Sequence, residues 1–198
     1  MSDSRQRVLR LRLTPWLLAL SVLNGSSFAA AQQSPLASPQ SLAASPRLAY
    51  RKGEELAQKK DYAAAMRWYR IAADQGSIEA QVALGHLYRN GQGVQQDFAT
   101  AMHWYRSAAE QGNSEAQNTV GFFYVNGMGV AQDFAQAMRW LRKAADQGNE
   151  VAERNIGMLY LNGLGVPIDR AEAIRWFRKA AAAGDSDSKE ALRMLGAS

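Results

Sequence analysis

The sequence predicts an all-α protein, a solenoid of stacked helix pairs, and three observations carry that prediction. Trp68, Trp104, Trp140 and Trp176 stand 36 residues apart, as do Gly76, Gly112, Gly148 and Gly184. A fixed period of that length marks a repeat architecture. Within each unit the apolar residues recur at helical spacing, as in Ala101, Trp104, Tyr105 and Ala108. Four of the five prolines (Pro15, Pro35, Pro39 and Pro46) precede residue 47, so the later region holds only one helix breaker, Pro167. A hydrophobic content of 47% supplies a sizeable core.

Residues 1–31 read as a secretory signal peptide. A basic segment (Arg5, Arg7, Arg10, Arg12) precedes the apolar run Trp16–Leu23, and Ala29-Ala30-Ala31 supplies a cleavage pattern with the cut expected after Ala31. Asn24 and Gly25 interrupt the apolar core, short of the roughly 20 residues a spanning helix needs. No adjacent arginine pair indicates a twin-arginine route. Residues 32–46, with Ser34-Pro35, Ser38-Pro39 and Ser45-Pro46, read as a disordered linker too polar to offset its ordering entropy.

The first helix of the best-formed unit is expected from Asp97 to about Gln111, with Asp97 as N-cap and Asp61, Asp133 and Asp169 in the same role. Asp169 and Glu172 have capping-box spacing. Phe98, Ala101, Trp104, Tyr105 and Ala108 define its buried face, and Gly112 closes it as a left-handed cap. The second helix is expected from about Ser114 to Asn126, with Ala116, Gly121, Phe123 and Tyr124 as its repeated positions. A mid-helix glycine costs about 0.5–1 kcal/mol. Its return at Gly85, Gly121 and Gly157 predicts close approach of a neighbouring helix, under a tryptophan. The loops Asn90–Val94, Asn126–Val130 and Asn162–Val166 carry residues that tolerate positive φ, each with a valine to pin the turn.

The ends depart from the pattern. A helix is expected over Arg47–Lys60, where Gly53 lies eight residues before Asp61, against twelve from Gly85 to Asp97. The first copy thus lacks four loop residues. After Gly184 an insertion near Asp185-Ser186-Asp187 is expected, with Ala191, Leu195 and Gly196 matching Ala80, Leu84 and Gly85. The solenoid occupies residues 47–196 on this reading.

The run Ala80…Leu84-Gly85…Tyr88…Gly91-x-Gly93-Val94…Asp97…Ala101…Trp104-Tyr105…Ala108-Ala109…Gly112, with its copies, resembles the Sel-one-like repeat family, a relative of the tetratricopeptide repeats. The resemblance implies a right-handed superhelix whose concave surface holds partner proteins or peptides. Some secreted relatives staple their repeats with disulfides. This chain has no cysteine and cannot.

A partner site is expected where the framework stays constant and side chains vary. One such stripe is Glu79, Val82, His86 and Arg89, then Glu115, Asn118, Phe122 and Val125, then Val151, Arg154, Met158 and Leu161. Spacings of 3, 4 and 3 put each set on one helical face, and the resemblance implies that this face lines the groove. Phe122, Val125, Met158 and Leu161 are either an exposed apolar patch, which marks a binding site, or an extension of the core between helices. A basic stripe runs along the other helices: Arg67, Arg70, His103, Arg106, Arg139, Arg142, Lys143, Arg175, Arg178 and Lys179. Asp74, Glu110 and Asp146 stand four residues after Arg70, Arg106 and Arg142, so a solvated, locally paired face is expected there.

The formal charge of +5 rests largely on the first 31 residues; without them 19 basic side chains face 17 acidic ones. That balance carries no signature of nucleic acid binding. Without cysteine, and with only His86 and His103, no metal centre is expected. The glycine-rich loops lack the lysine of a phosphate loop, so neither a cofactor nor a catalytic constellation is expected. The sequence therefore reads as a periplasmic or secreted, non-catalytic adaptor that binds a partner protein or peptide. The alternatives are a cell-wall glycan-binding factor and, behind it, an envelope hydrolase.

Overall fold

The computed structural model describes residues 45–197; the predicted signal peptide and all but the end of the predicted linker lie outside them. Among the described residues there are nine helices and no strand. They are α1 (Pro46–Gln58), α2 (Tyr62–Asp74), α3 (Ile78–Asn90), α4 (Phe98–Glu110), α5 (Ser114–Asn126), α6 (Phe134–Ala145), α7 (Glu150–Asn162), α8 (Arg170–Ala183) and α9 (Ser186–Met194). Each helix packs on its neighbours in the chain, most extensively in the pairs α1/α2, α3/α4, α5/α6 and α7/α8, and α5 also touches α7. Four contiguous apolar clusters follow one another along the array, as stacking of half-apolar units requires.

Local chemistry sets the boundaries. Asp97 accepts from the N–H groups of Ala99 and Thr100 at 2.9 and 3.0 Å, and Asp61, Asp133 and Asp169 cap α2, α6 and α8 in the same manner. The second helix of each pair has a cap the sequence reading did not name: Ser77, Asn113 and Asn149 on α3, α5 and α7 and Asp185 on α9, each accepting from the N–H three residues on. Gly91, Gly127 and Gly163 end α3, α5 and α7 at φ 66, 65 and 67°, a left-handed conformation that other residues resist. Ser45 and Pro46 belong to α1, as its N-cap and first residue, rather than to a linker.

Three expectations need correction. The expected capping box is half formed: Asp169 caps the N–H of Glu172, but the Glu172 carboxylate turns to the Trp176 indole and Arg175. The N–H it would have satisfied already donates to the Tyr160 carbonyl at 3.0 Å.

The mid-helix glycines do not lie under a tryptophan. A Cβ at Gly85 would come within 2.7 Å of the Tyr105 ring, at Gly121 within 2.7 Å of Leu141, and at Gly157 within 2.8 Å of the Phe177 ring. The anchor is thus the residue after each tryptophan. Trp104 instead packs in the preceding cluster, with Tyr69 and Leu84, while Tyr105 belongs to the next, with Phe123. Trp140 and Trp176 likewise pack back on the preceding clusters. Adjacent helical residues differ by about 100° in direction, so the pair faces two units and joins them.

The expected insertion after Gly184 is absent. Asp185 caps α9 where Ser77, Asn113 and Asn149 cap its counterparts. Ser188 and Leu192 are buried at the positions of Ala80 and Leu84, so the 36-residue register continues unbroken into the last helix. Arg193 then stands where the earlier helices have glycine.

Candidate partner-binding face

The twelve stripe residues on α3, α5 and α7 are all at least partly accessible. Phe122 is 45% exposed and Met158 43%, so these two are not core. Val125 and Leu161 are half-buried against the clusters below, so the apolar stripe has an open crest and rooted flanks. Val82 also packs partly into the core, whereas Glu79 and Glu115 are exposed.

Two depressions meet at Phe122. One, of about 240 Å³, lies between α5 and α7 and is lined by Phe122, Val125, Leu141, Met158, Leu159 and Leu164, with Asn126, Asn155 and Asn162. Leu141 and Leu159 make its floor part of the core. The other, of about 260 Å³, has a mixed lining: Arg89, Asn118, Thr119, Phe122, Val151, Arg154 and Asn155. An apolar recess with a few convergent polar groups is the usual form of a recognition site.

Several stripe residues already have partners within the fold. His86 lies between α3 and α5, with Nε2 3.3 Å from Glu115 and Nδ1 3.0 Å from the Tyr105 hydroxyl. Burial and the nearby Arg89 charge hold the His86 pKa below its ordinary value, with Glu115 opposing. Burial also pushes the Tyr105 hydroxyl up. Arg154 is paired with Asp185 and with Asp187, the latter at 2.7 Å, so it ties α7 to α9. Asn118 accepts from Asn155 at 2.9 Å. Phe122 and Met158 face outward, and partly buried Arg89 has the neutral Asn90 side chain as its partner.

The stripe reading missed Asn155, whose position holds Ala83 and Thr119 in the other copies, so the same criterion of variation could have found it. Asn126 and Asn162 were missed for the opposite reason: they repeat, as Asn90 does, and read as loop framework. Their amides donate to the Phe122 and Met158 carbonyls at 2.8 and 2.9 Å.

The basic residues of α2, α4, α6 and α8 are exposed. Of the three expected i,i+4 pairs only Arg106–Glu110 forms, at 3.2 Å. Arg70 lies over the Trp104 ring at 5.0 Å and Lys143 over Trp140 at 4.2 Å, while Arg142 donates to the Tyr160 hydroxyl at 3.2 Å. Arg70 and Lys143 thus pack on tryptophan rings. Among the described residues no group of three His, Asp or Glu side chains is placed to hold a metal ion. No helix among them is long and apolar enough to cross a membrane.

The Sel1 repeat pattern matches residues 42–77, 78–113, 114–149 and 151–185. Among solved structures, the chain is 39% identical to a protective antigen of uropathogenic Escherichia coli strains displaying an SLR fold, with a TM-score of 0.70 over 72% of this chain and 32% of that one. It is 33% identical to a Sel1 repeat protein from Oxalobacter formigenes, with a TM-score of 0.71 over 76% of this chain and 61% of that one. The match thus spans less than two thirds of either relative's length. A cysteine-rich protein of Helicobacter pylori shares the fold at 23% identity and a TM-score of 0.51, over 65% of this chain and 92% of that one. No curated protein matches the chain. With four matched repeats over most of its length, the chain belongs to the Sel1 repeat family.

Proposed function

We propose that this protein is a non-catalytic adaptor of the bacterial cell envelope that holds a partner protein or peptide on the stripe face of α3, α5 and α7. The Sel1 repeat family is generally a scaffold that mediates protein–protein interaction. The single observation that carries the reading here is the exposure of Phe122 and Met158 above an apolar recess between α5 and α7. Two large apolar side chains held half in water cost the isolated protein solubility, and a partner that covers them recovers the burial energy. The envelope assignment rests on residues 1–31, whose basic segment, apolar run and Ala29-Ala30-Ala31 site have the form of an export signal.

The test is photo-crosslinking in cells, with the reactive group at Phe122 and, as control, at Arg139 on the basic outer face. A discrete protein adduct at Phe122 alone supports the reading and identifies the partner by mass spectrometry. Adducts only at Arg139, or smears carrying wall glycan, overturn it in favour of glycan binding through the exposed arginines.

A further inference from the structure

We propose that the face between α3, α5 and α7 reads a short extended peptide that carries a bulky apolar side chain within two residues of an Asp or Glu. This deepens the adaptor reading above and rests on it. Three features of the two depressions that meet at Phe122 specify that ligand.

The first is charge. The second depression is lined by two arginines, Arg89 and Arg154. Arg154 is matched by Asp185 and Asp187. Arg89 has only the neutral Asn90 side chain, at 3.3 Å, and no carboxylate partner among the described residues. One unmatched cation beside an apolar recess selects an anion on the ligand, and a guanidinium matches a carboxylate in geometry.

The second is the Asn118–Asn155 pair. Its one hydrogen bond joins the Asn155 amide N–H to the Asn118 carbonyl oxygen. That leaves the Asn118 amide group to donate and the Asn155 oxygen to accept. A donor and an acceptor side by side match the C=O and N–H of an extended backbone. The third is adjacency. Phe122 and Asn155 line both depressions, so the apolar and acidic groups must be close along the ligand. Successive residues of an extended chain advance about 3.3 Å, with alternate side chains on one side.

The experiment is selection of a random peptide display library on the purified full chain. Fluorescence anisotropy of the enriched peptide then follows against the wild type, Arg89→Gln and Phe122→Ser. The expected consensus has a large aliphatic or aromatic residue with Asp or Glu at most two positions away. Arg89→Gln, or replacement of the peptide acid by its amide, should weaken binding about tenfold or more, the loss expected of a charge-assisted hydrogen bond. Unchanged thermal unfolding of the variants shows that the fold is intact. A consensus without an acidic residue, unaltered affinity in Arg89→Gln, or no enrichment at all overturns the proposal. Failure of the adaptor reading is separable: a protein adduct at Phe122 that persists in cells carrying Arg89→Gln removes the acid-reading role and leaves the groove standing.

Discussion

Lys179 Nζ lies 2.9 Å from Oε1 of Glu153, a carboxylate that is almost fully buried, and 3.3 Å from the carbonyl of Ala145. The other repeats solve the same problem with neutral groups. Gln117 donates to the Ala109 carbonyl at 3.0 Å and accepts from Gln147 at 2.8 Å, and Gln81 and Gln111 repeat the arrangement. In the third repeat Glu153 stands where glutamine does and Ala183 where Gln147 does. Lys179 supplies both missing donations from a different position. Lys179→Met should therefore leave the buried Glu153 carboxylate unpaired, while the Ala145 carbonyl keeps the Gly148 N–H at 3.0 Å, and cost about 2 kcal/mol, below the usual loss for a buried pair because the lysine is half in water. Adding Glu153→Gln to Lys179→Met should restore most of it, since the amide can donate to Ala145. Urea unfolding of the double-mutant cycle measures this; additive losses would refute the exchange.

The tryptophans and the residues after them should separate on truncation. Tyr105 and Phe177 are fully buried and fill the spaces over Gly85 and Gly157. Tyr105→Ala and Phe177→Ala are each expected to cost about 3–5 kcal/mol. Trp140 keeps part of its ring at the surface beneath Lys143, and Trp140→Ala should cost about 2 kcal/mol. Equal losses for Tyr105 and Trp140 in denaturant unfolding would contradict this division between anchor and joint.

The contrast shows how far repetition alone can be read. A 36-residue period locates the helices and their aspartate caps because capping and periodic burial depend on a few neighbouring residues. It also marks Trp104 and Tyr105 together without saying which one fills the space over Gly85, because that depends on how the next helix approaches. The exchange of Gln117 and Gln147 for Glu153 and Lys179 was hidden because its partners lie about 30 residues apart and change position between repeats. The exposed stripe was legible as variation against a constant frame. Whether Phe122 faced water or core turned on the spacing of α5 and α7, which no local pattern encodes.

His86 should make stability depend on pH. Its folded pKa lies below the ordinary value of 6.5, first because burial disfavours the charged ring and second because Arg89 is near. The unfolded chain therefore binds the proton more readily, and stability rises with pH across the interval between the folded and unfolded values. The contribution is complete above about pH 6.5 and is lost as pH falls through the folded pKa. His86→Phe, which installs the Phe122 side chain of the next repeat, should flatten the change in Tm between about pH 7 and pH 5. Proton NMR should find the His86 midpoint below the ordinary histidine value. An unaltered pH slope in the variant would assign the dependence to other groups.

Ser188 offers a substitution in the stabilising direction. Its side chain is fully buried at the position that Ala80, Ala116 and Ala152 occupy in α3, α5 and α7, and its hydroxyl has no hydrogen-bond partner. Its backbone N–H is already satisfied by the Asp185 cap at 2.7 Å, so the hydroxyl contributes nothing to the start of α9. A buried, unpaired hydroxyl costs about 1–3 kcal/mol relative to an apolar group of similar size. Removing it creates little space, since three alanines fit the equivalent sites. Ser188→Ala should therefore stabilise the C-terminal repeat by about 1 kcal/mol, read as a higher urea midpoint with an unchanged m-value. Were α9 offset by an insertion after Gly184, residue 188 would not share the alanine environment, and the substitution would be neutral or destabilising. A rise in the midpoint thus tests both the unpaired hydroxyl and the unbroken 36-residue register that carries it into the core.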